Sequence, residues 1–387
     1  MSLYARHRHG ADRVDDRGQA PRQCRPRRER IHRSLVLGLA LCLVASLAGA
    51  AEAIRIATLN TGLERDAPGL FLRDILKGEA EDIQHAARLI ARAKADVILL
   101  QGVDWDYEQV ALTAFREMVN AEGGAAFTHQ FTTQPNAGMP TLVDLDGDGY
   151  LRGSADAEGF GAFLGQGGMA VLSRWPVELT QELSDLAWWQ VPDTALLPED
   201  PGYGVRRLSS VGHWMLTVTP DDAPPFQLLA FHASPPVFDG PEDLNGRRNR
   251  DEILLWAHLL DGRLEAPAPD GRFAILGVAN ADPEDGDARR DGIHTLLRHD
   301  ALHDVGPRSE VGEALAERDS GVNDRHSGDP ALDTANYADD DPGNLRVDYV
   351  LPSAEWPVEG AGILWADPGD NEGPAVRHGV VRVDLAR

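Results

Sequence analysis

The chain has 387 residues, 42% of them hydrophobic, which is enough for a sizeable core and excludes a wholly disordered protein. Its formal net charge is −25; residues 1–50 contain ten Arg and four acidic residues, a net +6, so residues 51–387 carry −31. Such a surface repels nucleic acid at long range, so long DNA or RNA is disfavoured as a partner.

The first 53 residues have the pattern of a targeting segment. Six Arg between positions 22 and 33 precede an apolar run, Leu35–Leu47, which has the length of a signal-peptide core and is short for a membrane span. Small residues suited to cleavage follow at 48–53. We expect a secreted or periplasmic protein with no transmembrane segment after cleavage; an uncleaved N-terminal anchor is the alternative. Both cysteines, Cys24 and Cys42, would be removed, which excludes disulfides and thiolate metal sites from the mature protein.

From Ile54 onward, strand patterns alternate with helix patterns, and we interpret residues 54–387 as one domain. In chain order, the predicted strands are Ile54–Asn60, Asp96–Gln101, Met169–Ser173, Trp214–Val218, Phe226–His232, Phe273–Gly277, Arg346–Leu351 and Val380–Leu385. The predicted helices are Asp82–Ala95, Ala111–Val119, Glu252–Leu260 and Gly292–Leu297. Many strands with few helices favour an α/β (α+β) fold in which two packed, mostly antiparallel sheets are flanked by helices.

Polar side chains stand at or near the ends of several predicted strands. They are Asn60, His232, Asn280, Asp348 and His378. Each alone has an ordinary structural interpretation, such as an Asn in a turn or a hydrogen-bonded core His. Because α/β sheets gather their active sites at strand ends, the five together predict a functional site.

The order of these residues resembles that of the endonuclease/exonuclease/phosphatase superfamily of DNase I-like proteins, over about residues 54–387. The resemblance also rests on longer runs: DLDGDG at 144–149, HASPPVFDGPEDLNGRRNRDE at 232–252, GDPALDTA at 328–335 and PGNLRVDYVLPS at 342–353. These runs are similar to an exported bacterial branch of the superfamily. The resemblance implies a four-layer sandwich and a phosphodiesterase or phosphatase that uses Mg²⁺ or Mn²⁺ to hydrolyse a phosphoester.

The resemblance also implies a role for each of the five strand-end residues. Asn60 matches an Asn beside the metal and the substrate, and His232 matches a His that faces the phosphate. Asn280 matches the Asn of a Gly-Asp-x-Asn motif. Asp348 matches an Asp that orients the last His, and His378 matches that His. We therefore expect His232, Asn280, Asp348 and His378 to act in catalysis.

Three carboxylates of the family pattern are missing. Gly102 stands where the family has its principal metal-binding Glu, Val278 replaces the Asp of Gly-Asp-x-Asn, and Arg377 replaces the Asp before the last His. Hard cations bind through oxygen ligands, so we expect reduced or lost activity. The alternative is an inactive protein that binds a small phosphoester, another phosphorylated ligand or a partner, with Arg377 and two other Arg in place of the cation.

The two other Arg residues suggested in place of the cation are Arg247 and Arg248. Together with Asn245, they belong to a predicted loop after His232. We expect this loop to bind substrate; an N-capping loop with ion pairs is the alternative.

Asp144, Asp146 and Asp148 have the spacing of a calcium loop, although Ala155 stands at its twelfth position. The loop is interpreted as a structural Ca²⁺ site or as an acidic surface turn.

Overall fold

Two mixed sheets form the centre of the protein. The computed structural model describes residues 53–124, 126–337, 341–366 and 376–387, so the predicted targeting segment lies outside it except for residue 53. The strands in these ranges are β1 (Ile54–Asn60), β2 (Val97–Val103), β3 (His129–Phe131), β4 (Gly168–Ser173), β5 (Val177–Glu182), β6 (Gly212–Val218), β7 (Phe226–His232), β8 (Phe273–Val278), β9 (Ala335–Asn336), β10 (Asn344–Leu345), β11 (Asp348–Pro352), β12 (Val358–Leu364) and β13 (Val380–Leu385).

The strand order confirms the prediction of two sheets that are mostly antiparallel. The first sheet runs β12-β13-β1-β2-β4-β3, and the second runs β11-β8-β7-β6-β5. Each contains one parallel pair, β1 with β2 and β7 with β8, and its other pairs are antiparallel. The short strands β9 and β10 pair only with each other.

Five helices cover the outer faces of the sheets: α1 (Leu70–Lys77), α2 (Glu81–Ala93) and α3 (Val110–Ala121) on the first, and α4 (Leu244–Leu260) and α5 (Arg290–Leu297) on the second. Another helix, α6 (Glu310–Asp319), packs Val311 and Leu315 against the core between the sheets. Phe71, Ile90 and Phe115 of α1–α3 join one core with the outer face of the first sheet. Trp256 of α4 and Leu296 of α5 join another with the second sheet.

The third core lies between the sheets. Its side chains are the alternate residues of facing strands, and Trp214 and Trp356 are its largest buried side chains. Burial of this kind supplies roughly 25 cal/mol per Å² of apolar surface and is the main stabilising contribution. The layers are therefore helix, sheet, sheet and helix, as in the DNase I-like sandwich.

Some elements were not predicted from the sequence. The strands β3, β5 and β12 lie at sheet edges, and all residues of β5 are partly or fully exposed, which weakens the alternating signal. Helix α4 begins at Leu244, eight residues before the predicted start, because its first two turns bury polar residues rather than an apolar stripe. In the described ranges, no helix is long and apolar enough to cross a membrane.

Candidate active site

The strand-end residues meet because they continue the inner faces of the two sheets. Ile54 and Ile56 of β1 enter the inter-sheet core, and side chains alternate along a strand, so Asn60 lies on the same face beyond them. By the same alternation, His232 lies on the same face of β7 as the core residue Ala230, and Val278 lies on the same face of β8 as the core residue Leu276. The site is thus the polar end of the inter-sheet core.

Three neighbouring strands of the second sheet place their site residues in one row. His232 of β7 is in register with Val278 of β8, and Val278 is in register with Asp348 of β11. Side chains in register on paired strands point to the same face and touch. Val278 therefore separates the His from the Asp, in the position that the missing carboxylate would occupy.

His378 connects the two sheets. Its Nδ1 lies 2.8 Å from Asp348 Oδ2, and its Nε2 lies 3.4 Å from Asn60 Nδ2. The same Asp348 oxygen accepts a hydrogen bond from Thr334 Oγ1 at 2.7 Å. With the Asn60 amide in this orientation, Nδ1 donates to the carboxylate and Nε2 is the unprotonated nitrogen. Tyr337 packs edge-on against the ring, at 5.8 Å between centroids. The imidazole is thus fixed in both tautomer and direction.

His232 is neutral at physiological pH. Burial, together with the nearby His378, lowers its pKa from 6.5 to about 4. Its Nδ1 is buried and has no hydrogen-bond partner among the described residues. An unpaired buried imidazole nitrogen is costly unless a ligand satisfies it. His232 is thus a partly buried side chain of the site with one ring nitrogen that no described group satisfies.

Asn280 holds an unusual backbone conformation, with φ at 50°. Its Nδ2 donates to Ala233 O at 2.9 Å, which fixes the side chain against the segment that follows His232. The buried Asn249 of α4 braces both segments, because its Nδ2 donates to Ser234 O and to Ala279 O, each at 2.7 Å. Sequence reasoning missed Asn249, since nothing in the pattern marked it as distinct from its polar neighbours.

Glu252 is a second positioning residue that was missed. It is fully buried, and its carboxylate accepts hydrogen bonds from the backbone N–H and the hydroxyl of both Ser210 and Ser234. Four donors compensate for much of the burial of one charge. They tie α4 to the segment after β7 and so hold His232 in place.

Gly102 lies at an irregularity of β2, where the pairing with β4 shifts between Gln101 and Val103. Its φ is +67°, and a Cβ at this position would lie 2.8 Å from Gly62 N and 2.9 Å from both Asn60 Oδ1 and Glu64 Oε2. Any other residue here would be strained and would clash with its neighbours. The strand therefore cannot carry the family Glu without a backbone change.

The two other replaced positions, 278 and 377, carry side chains, unlike Gly102. Val278 is fully buried. Arg377 is exposed and forms no ion pair with the residues that the structure describes. Neither side chain offers an oxygen ligand.

Two nearby Asp do not restore the missing carboxylates. Asp104 accepts hydrogen bonds from Arg65 N and Gly167 N, and burial, reinforced by nearby Glu64, raises its pKa to about 6. Asp282 accepts from the backbone N–H groups of Glu284, Asp285 and Arg346. Both side chains hold loops.

The expected substrate loop is wrong as a structural prediction. Asn245, Arg247 and Arg248 lie in the first turns of α4. The buried Arg247 pairs with Asp200 through both terminal nitrogens, and the buried Arg248 donates to carbonyl oxygens that include Leu208 O.

Asn245 Nδ2 donates to Val237 O at 2.8 Å. The donors of all three side chains thus serve the scaffold. Of the three Arg suggested as substitutes for the cation, only Arg377 is exposed.

The acidic loop forms a cluster that differs by one member from the prediction. Asp144, Asp146 and Asp156 place one oxygen each within 4.8 Å of one another. Asp148 is not in the cluster, and its Oδ1 accepts from Tyr150 N instead. Asp156 stands one residue beyond the twelfth position and is buried, with its oxygens accepting from Leu145 N and Gly153 N.

Comparison with known families gives one match that spans most of the chain. The family model described as the Endonuclease/Exonuclease/phosphatase family matches residues 57–371. No curated protein matches the chain.

Solved structures resemble the chain at low identity. One is described as an endonuclease/exonuclease/phosphatase from Beutenbergia cavernae; it is 18% identical, with 87% of this chain and 72% of that chain covered and a TM-score of 0.49. A family protein from Leptotrichia buccalis is 16% identical, with 86% and 99% covered and a TM-score of 0.45. Sphingomyelinase C from Streptomyces griseocarneus is 16% identical, with 86% and 99% covered and a TM-score of 0.44.

Proposed function

This chain belongs to the endonuclease/exonuclease/phosphatase family, and from that premise we propose that it binds phosphoesters around His378 and hydrolyses them slowly with Mg²⁺ or Mn²⁺. The observation that carries the proposal is the series Asp348–His378–Asn60, which joins the ends of both sheets by contacts of 2.8 and 3.4 Å. A carboxylate that fixes an imidazole, whose other nitrogen lies beside the Asn60 amide, is an arrangement suited to proton transfer.

The retained residues suit a phosphoester. His232 and His378 present imidazoles from different sheets, and Asn60 and Asn280 add amide groups. Amide N–H groups donate to phosphate oxygens, and an imidazole does so through a ring nitrogen that carries a proton; neither group adds a fixed negative charge. The −31 charge of residues 51–387 favours a small phosphoester over long nucleic acid as the ligand.

The residues present fit a divalent cation weakly. Asn60 Oδ1 faces the space beside Gly102 where a Cβ would lie, at 2.9 Å from that point, and amide oxygens are suitable ligands for hard cations. When bound, such a cation neutralises phosphate oxygens and stabilises the leaving group.

The loss at position 278 limits the reaction. Val278 has no group that can accept a proton from the attacking water. General-base catalysis typically contributes about 10²–10⁴-fold to a rate. We therefore expect turnover slower by about that factor than in a relative that keeps the Asp, with binding retained.

Hydrolysis of bis(p-nitrophenyl) phosphate tests this proposal. We expect slow release of p-nitrophenolate that requires Mg²⁺ or Mn²⁺, stops with EDTA and falls in His378→Gln. Turnover within the usual enzyme range of about 1–10³ s⁻¹ would show that the missing carboxylates do not limit the reaction.

The second candidate function is that of an inactive binding protein. It is favoured by the buried Val278 and by Arg377, a cation beside the site. The two functions separate in the same assay: a binding protein gives no turnover above His378→Gln with either metal, while it still binds the diester in a calorimetric titration.

A structural Ca²⁺ site at Asp144, Asp146 and Asp156 is a separate proposal, supported by the cluster of oxygens. Ca²⁺ should raise the melting temperature of the chain, by mass action, because it binds only the folded loop. The rise should be absent in Asp146→Asn. An equal rise in both proteins would place the Ca²⁺ elsewhere.

Export is likewise proposed from the N-terminal pattern. Expression in a bacterium, followed by fractionation and mass measurement of the N-terminus, tests it. A cytoplasmic protein that retains residues 1–53 would contradict it.

A further inference from the structure

The space beside Gly102 brings two side-chain oxygens together. Asn60 Oδ1 and Glu64 Oε2 each lie 2.9 Å from the point that a Cβ would occupy, so they are no more than 5.8 Å (twice 2.9 Å) apart. Gly62 N lies 2.8 Å from the same point and donates to Asn60 Oδ1 at 3.3 Å. The two side-chain oxygens are ligands of the kind that hard cations bind.

The orientation of the Asn60 amide supports this interpretation. Its Nδ2 faces His378 Nε2 at 3.4 Å, so its oxygen is turned away from the imidazole and towards Glu64. The amide thus contributes to both halves of the site, with its nitrogen at the imidazole and its oxygen at the space beside Gly102.

Glu64 lies in a loop that is held on both sides. Before it, the buried Leu63 donates from its backbone N to Gly102 O at 2.8 Å. After it, Arg65 N donates to Asp104 Oδ2 at 3.1 Å, and Arg65 O accepts from Gln166 Nε2 at 2.8 Å.

Ion pairs of the Arg65 guanidinium with Asp74 and Asp82 direct that charge away from Glu64. The Glu64 side chain itself is exposed and forms no hydrogen bond or ion pair with the described part of the chain. Its carboxylate is therefore placed by an anchored backbone and remains free to bind a ligand.

We propose that Glu64, from the loop after β1, supplies the carboxylate that β2 lacks at Gly102 and binds, together with Asn60, the divalent cation of this site. The proposal rests on the proposed function. It names a ligand from a different segment, and it explains why position 102 is Gly: a side chain there would displace the Glu64 carboxylate.

Binding of Mn²⁺ to the full chain, measured from the electron paramagnetic resonance signal of the free ion, tests the proposal. The parent protein carries Asp144→Asn and Asp146→Asn, which remove two carboxylates of the acidic cluster from the measurement. Glu64→Gln removes one charge and one ligand while keeping the side-chain size. The matched control is Glu122→Gln, since Glu122 is also exposed.

We expect Glu64→Gln to weaken Mn²⁺ binding at least tenfold, Glu64→Asp to weaken it less, and Glu122→Gln to leave it within twofold of the parent. Equal affinity in Glu64→Gln and the parent, or no Mn²⁺ binding by the parent, would overturn the proposal. Circular dichroism confirms that each variant is folded.

A parallel titration with bis(p-nitrophenyl) phosphate in EDTA distinguishes failure of the Glu64 assignment from failure of the proposed phosphoester binding. If the parent binds the diester but its Mn²⁺ affinity is the same with and without the Glu64 carboxylate, only the assignment of Glu64 as a ligand is rejected. Absence of diester binding by the parent, with and without Mn²⁺, would reject the proposed function.

Discussion

Positions 278 on the second sheet and 102 on the first, where the family resemblance implies carboxylates, have different surroundings. Val278 sits in a regular strand, in register with His232 on one side and Asp348 on the other. Gly102 sits at a strand irregularity with φ at +67°, and a neighbouring Glu64 approaches the space its side chain would fill. Position 278 thus differs from the family pattern in its side chain, and position 102 differs in its backbone.

This difference shows that a missing residue does not always mean a missing group. At 278, the surrounding residues retain the geometry that an Asp would need. At 102, a reverse substitution would damage the site, because the loop after β1 already occupies the space. The sequence alone makes the two losses look equivalent, and reverse substitution distinguishes them.

The largest expected effect comes from Val278→Asp. The new carboxylate would stand between His232 and Asp348 and would accept a proton from water, so we expect diester hydrolysis with Mg²⁺ to rise by about 10²–10⁴-fold. Burial of the new carboxylate should also lower the stability, because a buried charge is costly unless it is paired and hydrogen-bonded. Val278→Asn is the control, since it adds polarity without a base. An equal rise in Val278→Asn, or no rise in folded Val278→Asp, would refute the assignment of this position.

The next effect concerns Gly102→Ala. A left-handed conformation costs a non-glycine residue about 1–3 kcal/mol, and a clash with Gly62 N adds to it. The matched control is Gly262→Ala, because Gly262 has the same φ of +67° and nothing within 4 Å of its Cβ position. In urea unfolding, we expect Gly102→Ala to lose at least about 1 kcal/mol more than the control. Equal losses would mean that the space beside Gly102 is not constrained.

A third, smaller effect is expected from Asp348→Asn. The change removes the charge that orients His378 Nδ1 while keeping the side-chain size, and Asp348 is almost fully buried. A hydrogen bond to a charged group contributes about 1.5–3 kcal/mol, so diester affinity should fall about tenfold. Thr334→Val is the comparison: it removes the second donor to Asp348 and the acceptor of Val347 N and Asp348 N, but it keeps the carboxylate and should have a smaller effect on affinity. A calorimetric titration of each variant measures both.

The smallest effect is a pH dependence that arises from His232. Its free pKa is about 4, and a bound anion should raise it, so the complex takes up a proton that the free protein does not hold. Diester affinity in EDTA should therefore rise as pH falls from 7 towards 4, by less than tenfold per unit, and level off below about 4. His232→Gln should remove this slope. A slope of the same size in both proteins would assign it to another group.

Sequence patterns predicted the two-sheet core and the position of the strand-end residues, because alternation along a strand determines which side chains reach the end of the core. They could not predict Glu64, since its role depends on a left-handed residue at 102 and on the path of a loop. Arg247 and Arg248 were predicted to lie in a loop and lie in α4, because the polar residues of a buried helix have no helical apolar pattern. Asp156 replaced Asp148 in the acidic cluster because turn geometry, rather than spacing, directs each carboxylate.

Titration of bis(p-nitrophenyl) phosphate into the wild type and into His378→Gln, with Mg²⁺ at pH 7, shows whether the imidazoles bind a phosphoester without carboxylates at 102, 278 and 377. We expect measurable binding by the wild type and at least tenfold weaker binding by the variant. Equal affinity in the two proteins, with both folded, would contradict this expectation.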